Sequence, residues 1–149
     1  MNFKDEVERS FHDAILGHQL QVRTVDQSEV LLVGKRFALS ISHGRDGVEI
    51  GYVEVVGDGK YSFLSITRFL GALRFLPEDR SLFGAPEGTV DEQIRASLRV
   101  ISSGITNRCS DILEGETLWL DSLRKKDPAA YKGEALSVPL LAAMSSINW

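Results

Sequence analysis

The chain has 149 residues, 43% of them hydrophobic and 26% charged, with a formal net charge of −4. Such proportions belong to a globular protein able to bury about two-thirds of its unfolded surface, and they exclude a disordered or fibrous chain. Residues 1–76 hold nine Lys/Arg against ten Asp/Glu and residues 77–149 hold eight against eleven, so no basic face offers itself for neutralising nucleic-acid phosphates.

A single cysteine, Cys109, rules out an internal disulfide framework and fits a reducing compartment. The opening stretch, Met-Asn-Phe-Lys-Asp-Glu, is charged from the start and lacks the apolar centre of a signal peptide. No apolar run is long enough to cross a bilayer. The expectation is one domain over residues 1–149, cytoplasmic and without a membrane anchor.

Phe3, Val7, Phe11 and Ile15 recur every four residues with charged residues between them, which predicts an amphipathic helix ended by Gly17. From Leu20 the period changes to two. Short alternating runs follow at Leu20–Val25, Val30–Val33, Phe37–Ser42, Val48–Val56 and Tyr61–Leu64. Asp26-Gln27-Ser28, Gly44-Arg45-Asp46-Gly47 and Gly57-Asp58-Gly59 read as tight turns, so these strands are mostly antiparallel. Val30–Val33 is apolar throughout, and near Val53–Val56 both faces of the strand turn apolar.

After Ser65 the spacing of Ile66, Phe69, Leu70, Leu73 and Leu76 predicts a helix that Pro77 ends. Pro77–Gly88 reads as a loop. Thr89, with Glu92 three residues on, forms a capping box for a long helix carrying Val90, Ile94, Leu98, Ile101, Ile105 and Cys109 to near Gly115. Gly104 inside it points to a close helix–helix contact or a kink. A shorter helix, Leu118–Lys126, stops before Pro128, and the tail beyond stays unassigned although Leu136–Met144 is apolar enough to pack on the body. The order predicts an α+β fold. An antiparallel meander of four or five strands, about 20–64, is preceded by a helix and followed by three or more helices packed on one face.

Candidate chemistry is sparse. Glu8 and His12, four apart on a helix, could share a metal, but with His18 six residues further on a third ligand at suitable spacing is missing, and Glu8 with His12 reads as a surface pair. His43 stands at a strand end beside Asp46, an arrangement that would suit an oriented general base, but Ser40 and Ser42 sit in no nucleophile-elbow context. Gly57-Asp58-Gly59-Lys60 lacks P-loop spacing and reads as a turn. Cys109 lies on an apolar helix face and reads as a core residue. Trp119 and Trp149 are both expected to dock on the body. No catalytic residue, metal site or cofactor is assigned.

The helix Phe3–Leu16, the strands Glu29–Ser42 and Gly44–Val56, the run Ile112-Leu113-Glu114-Gly115-Glu116 and the short helix with Leu123-Arg124-Lys125 follow one another in an order that resembles small cytosolic bacterial immunity proteins. These are encoded beside polymorphic or contact-dependent toxins. The resemblance implies a non-enzymatic protein, monomer or homodimer, that binds and neutralises a cognate toxin domain. The acids at the hairpin ends, Asp46, Glu49, Glu54 and Asp58, are the expected partner-binding residues, with the Pro77–Gly88 loop as the other choice. Two alternatives stand beside this reading. One is a homodimer formed through an exposed sheet face at Val53 and Val55; the other is an enzyme with a site near His43 and Asp46.

Overall fold

The computed structural model describes residues 1–45, 47–80 and 88–149. The N-terminal stripe forms two consecutive helices, α1 (Phe3–Ser10) and α2 (His12–His18), because Phe11 leaves helical geometry at φ −98° and ψ 15°. Asn2 caps α1 by accepting the Asp5 N–H. The helix runs past Gly17, the expected end. Gln19 makes the left-handed stop at φ 54°, while the Leu20 N–H reaches back to the Ile15 carbonyl. Stopping two residues later lets Leu20 enter the core, where it is buried.

The five expected strands form one antiparallel sheet in chain order: β1 (Gln21–Asp26), β2 (Glu29–Val33), β3 (Phe37–Gly44), β4 (Gly47–Gly57) and β5 (Lys60–Ser65). Asp26 closes the first turn by accepting the Ser28 N–H at 2.8 Å. A single helical turn, α3 (Thr67–Phe69), then widens into a π-helical segment (Leu70–Arg74). The Phe75 N–H to Leu70 carbonyl bond of 2.8 Å closes that wide turn. Phe75 is thereby laid over Gly104, where an added Cβ would fall 2.3 Å from its ring. This close approach explains the glycine. Pro77 opens α4 (Pro77–Arg80) as well as ending the segment before it; the remainder of the expected loop, 81–87, lies outside the described residues.

Thr89 caps α5 (Val90–Arg108) by accepting the Glu92 N–H, as its capping box predicts. The long helix breaks at Cys109 into α6 (Ser110–Leu113), with Gly115 beyond it at φ 80°. Next come α7 (Trp119–Lys126), α8 (Pro128–Tyr131) and α9 (Val138–Ser145). The α+β class and the meander are therefore as expected. Alternation sends Val30, Leu32, Leu39, Ile41 and Tyr52 to one face, where α1, α5, α6 and α7 bury them. Leu31, Val33, Ala38 and Val53 point the other way, and the tail covers them with Leu140, Met144 and Ile147. The second face is thus not open. Val53 is fully buried and Val55 packs against the same cluster, so the exposed apolar surface expected of this pair is taken by α9.

Both tryptophans dock. Trp119 donates to the Glu116 carbonyl at 2.8 Å and meets Tyr52 edge-on, while Trp149 donates to the Met144 carbonyl at 3.0 Å. The two sides of α9 make a direct test of this layering. Met144→Ala, which empties a fully buried site, is expected to cost about 2–5 kcal/mol in urea unfolding. Leu141→Ala, at a position 44% exposed, is expected to cost less than about 1 kcal/mol.

Candidate functional site

The described members of the expected acidic set, Glu49, Glu54 and Asp58, do not share a surface. β4 is 11 residues long, so its two turns stand about 35 Å apart at opposite ends of the sheet. Glu49 and Glu54 also differ in parity and face opposite sides. Glu49 Oε2 accepts from Thr67 Oγ1 at 2.8 Å, and that same hydroxyl accepts the Ile50 N–H; Glu49 therefore helps to finish the β4 edge. Glu54, half-buried opposite Phe37, and Asp58 in the exposed β4–β5 turn share the other end. Asp46 lies outside the described residues.

His43 is half-buried with its ring centroid 4.5 Å from that of Phe3. Strand alternation puts it on the opposite face from Ser40 and Ser42, and Ser40 donates to Glu29 at 2.5 Å. Glu29 loses solvent there, and burial raises its carboxyl above the ordinary range despite that hydrogen bond. Glu8 pairs with Lys4 at 3.0 Å, not with His12, while His18 Nδ1 stands 3.6 Å from Glu114 Oε1. Among the described residues no group of three or more His, Cys, Asp or Glu could hold a metal ion. Cys109 is fully buried, and burial pushes its thiol up to about 12.

What the fold does assemble is a cleft of about 780 Å³ at one end of the sheet, closed by segments far apart in sequence. His18 and Gln19 come from the end of α2, Gln21 from the start of β1, and Lys35 and Arg36 from the β2–β3 turn. Leu113 and Glu114 form the wall after α6, and Ile147, Asn148 and Trp149 close the opposite side. Gln19 at φ 54° and Arg36 at φ 58° are the only non-glycine residues with positive φ among the described residues, and both line this cleft. A left-handed conformation costs an L-residue about 1–2 kcal/mol. The side chains of Gln19, Gln21, Lys35 and Arg36 find no hydrogen-bond or ion-pair partner among the described residues. Two exposed cations and three exposed amides, Asn148 among them, thus line a cleft that also holds a tryptophan whose own N–H is already satisfied.

The wall is held from behind. Arg74, in the π-helical segment, grips Asp111 of α6 with two hydrogen bonds of 2.8 Å and also donates to the Arg108 carbonyl at 3.0 Å. Arg108 in turn stands 3.6 Å from the buried Asp79, which accepts the Leu76 N–H at 2.7 Å. These contacts fix α6 and therefore Leu113 and Glu114.

No protein-family model, curated protein or solved structure matches the chain.

Gln19, Gln21, Lys35 and Arg36 were not singled out by their local sequence. Lys35-Arg36 looks like any charged turn, and left-handed geometry at Gln19 and Arg36 has no glycine to announce it. The hydrogen bonds from Arg74, partly offset by burial, hold the Asp111 carboxyl below its ordinary range. A carboxylate whose pKa is depressed on folding stabilises above its unfolded pKa and loses that contribution as pH falls towards the folded one. Asp111→Asn is accordingly expected to cost about 1–3 kcal/mol at pH 7. Urea unfolding should show the gap from the parent protein narrowing below about pH 4.

Proposed function

We propose that the chain is a non-enzymatic binding protein that seats a protein partner on the cleft end of the sheet. One observation carries this reading: Lys35, Arg36, Gln19 and Gln21, without hydrogen-bond or ion-pair partners among the described residues, line one cleft together with Trp149. Free charged and amide groups around an aromatic residue supply the orienting contacts typical of a protein interface. The cleft accommodates an anchoring side chain. A stable interface needs about 800 Å² from each partner, so the adjoining turns supply its rim, including Glu54 and Asp58 from the expected acidic set.

The resemblance in element order to immunity proteins supplies the class of partner, a cognate toxin domain that binding would neutralise. Mixed charge at this end, with Lys35 and Arg36 beside Glu54, Asp58 and Glu114, suits a partner surface that is also mixed. Complementarity of that kind governs association rate and partner choice more than affinity.

Co-expression with the product of a neighbouring toxin-sized reading frame, followed by calorimetry on the purified pair, tests the proposal. A nanomolar complex is expected, and Lys35→Glu with Arg36→Glu should weaken it at least tenfold without lowering the melting temperature of the free protein. Failure to bind any encoded neighbour, or an affinity indifferent to both substitutions, would contradict the proposal.

A further inference from the structure

A second groove, of about 620 Å³, runs along the seam between the N-terminal helices and α5, away from the sheet-end cleft. Glu6 of α1 is buried to 9% exposure within it. Its Oε1 accepts from Arg9 Nη1 at 3.1 Å and from Arg95 Nε at 3.2 Å, so one oxygen gathers both guanidiniums. Burial opposes the charge on Glu6, but the two arginines outweigh it and hold the carboxyl below its ordinary range. Glu6 is therefore a fixed anion that organises the arginines without neutralising them. A guanidinium carries five N–H donors, and Arg9 and Arg95 each place only one on Glu6.

Arg99 follows Arg95 by four residues on α5, which puts the two on one helix face. It lines the same groove, and its side chain has no hydrogen-bond or ion-pair partner among the described residues. Three arginines against Glu6 and Asp13, which both line the groove, leave a local charge of +1 in a chain whose net charge is −4. Asp13, the other acid in the groove, comes from α2, beyond the break at Phe11. Beside the arginines stand the hydroxyl-bearing Ser10, Ser103 and Thr106.

We propose that this groove is an oxyanion site that takes a phosphate group between the guanidiniums of Arg9, Arg95 and Arg99. The oxygens of a phosphate group offer acceptors for several guanidinium forks and hydroxyls together, more than the two oxygens of a single carboxylate supply. The volume suits a small ligand. The same group could belong to free phosphate or to an esterified compound. The site is independent of the protein-binding proposal, since it shares no residue with the sheet-end cleft.

Titration of the full chain with inorganic phosphate, O-phosphoserine and glutamate at matched ionic strength, followed through the arginine side-chain Nε–Hε resonances, tests it. Saturable shifts at Arg95 and Arg99 are expected with both phosphates, at least tenfold tighter than with glutamate. Tighter binding of O-phosphoserine would assign the site to an esterified ligand, and tighter binding of phosphate to the free ion. Arg99→Gln should weaken phosphate binding at least tenfold while leaving the ligand-free melting temperature unchanged. Shifts that do not saturate, that glutamate reproduces at equal concentration, or that persist undiminished in Arg99→Gln would overturn the proposal.

Discussion

The structure depends on a sheet that must be kept dry on both faces. Antiparallel sheets commonly leave one face to solvent, but here β2 is apolar at every position from Val30 to Val33, and all four residues are buried. The meander therefore needs two covers. The first is the layer of α1, α5, α6 and α7, fastened by aromatic contacts: Phe37 stacks on Tyr52 at 5.6 Å, and Trp119 meets Tyr52 at 4.9 Å and Phe69 at 5.8 Å. Burial in this layer pushes the Tyr52 hydroxyl up to about 12. The second cover is α9, brought to the opposite face by the tail.

The edges are managed as carefully as the faces. Glu134 pairs with Phe63 through two backbone hydrogen bonds, of 3.2 and 2.8 Å, and so covers part of the β5 edge on the way to α9. The Phe63 ring lies across Gly51, where a side chain would collide with it. Beyond the end of β5, Ile66 and Thr67 take up the exposed backbone of Ile50. At the other margin β1 carries Arg23 and Asp26 and an irregular register between Thr24 and Asp26, features that discourage strand addition. With faces and edges occupied in this way, the sheet ends and the outer helix seams hold the two clefts. One holds Trp149 with polar groups that have no partner among the described residues, and the other gathers arginines round Glu6.

Much of the fold was legible because its signals are local. The i, i+4 stripe from Phe3, the glycine turns, the capping box at Thr89 and the period-two runs each report backbone conformation within a few residues. Gly104 was legible as a close contact, although its partner proved to be Phe75 and not a second helix. Val30–Val33 and Val53–Val56 correctly announced a second apolar face. Sequence alone did not say that the chain's own tail would cover it, because that contact joins residues more than eighty positions apart. The π-helical widening after Phe69 and the left-handed Gln19 and Arg36 left no local trace. The acidic residues at the hairpin ends look like one group when β4 is read as a line of letters, but its length and alternation set Glu49 and Asp58 at opposite ends, and Glu49 and Glu54 on opposite faces. Sites assembled from the ends of α2, β2, α6 and the tail are visible only once the meander is closed.

Layering is the premise on which the placement of both clefts rests, since a helix lifted from the second face would expose Leu31 and Val53 and offer a different recognition surface. Methyl–methyl nuclear Overhauser contacts in the free protein measure it directly. The account predicts contacts from Leu140 and Met144 to methyl groups of the Leu31, Ala38 and Val53 cluster, alongside separate contacts from Leu98 and Ile105 to the Leu32 and Leu39 side. A tail whose methyl groups show no contact with the sheet, leaving Leu31 and Val53 open to solvent, would contradict it.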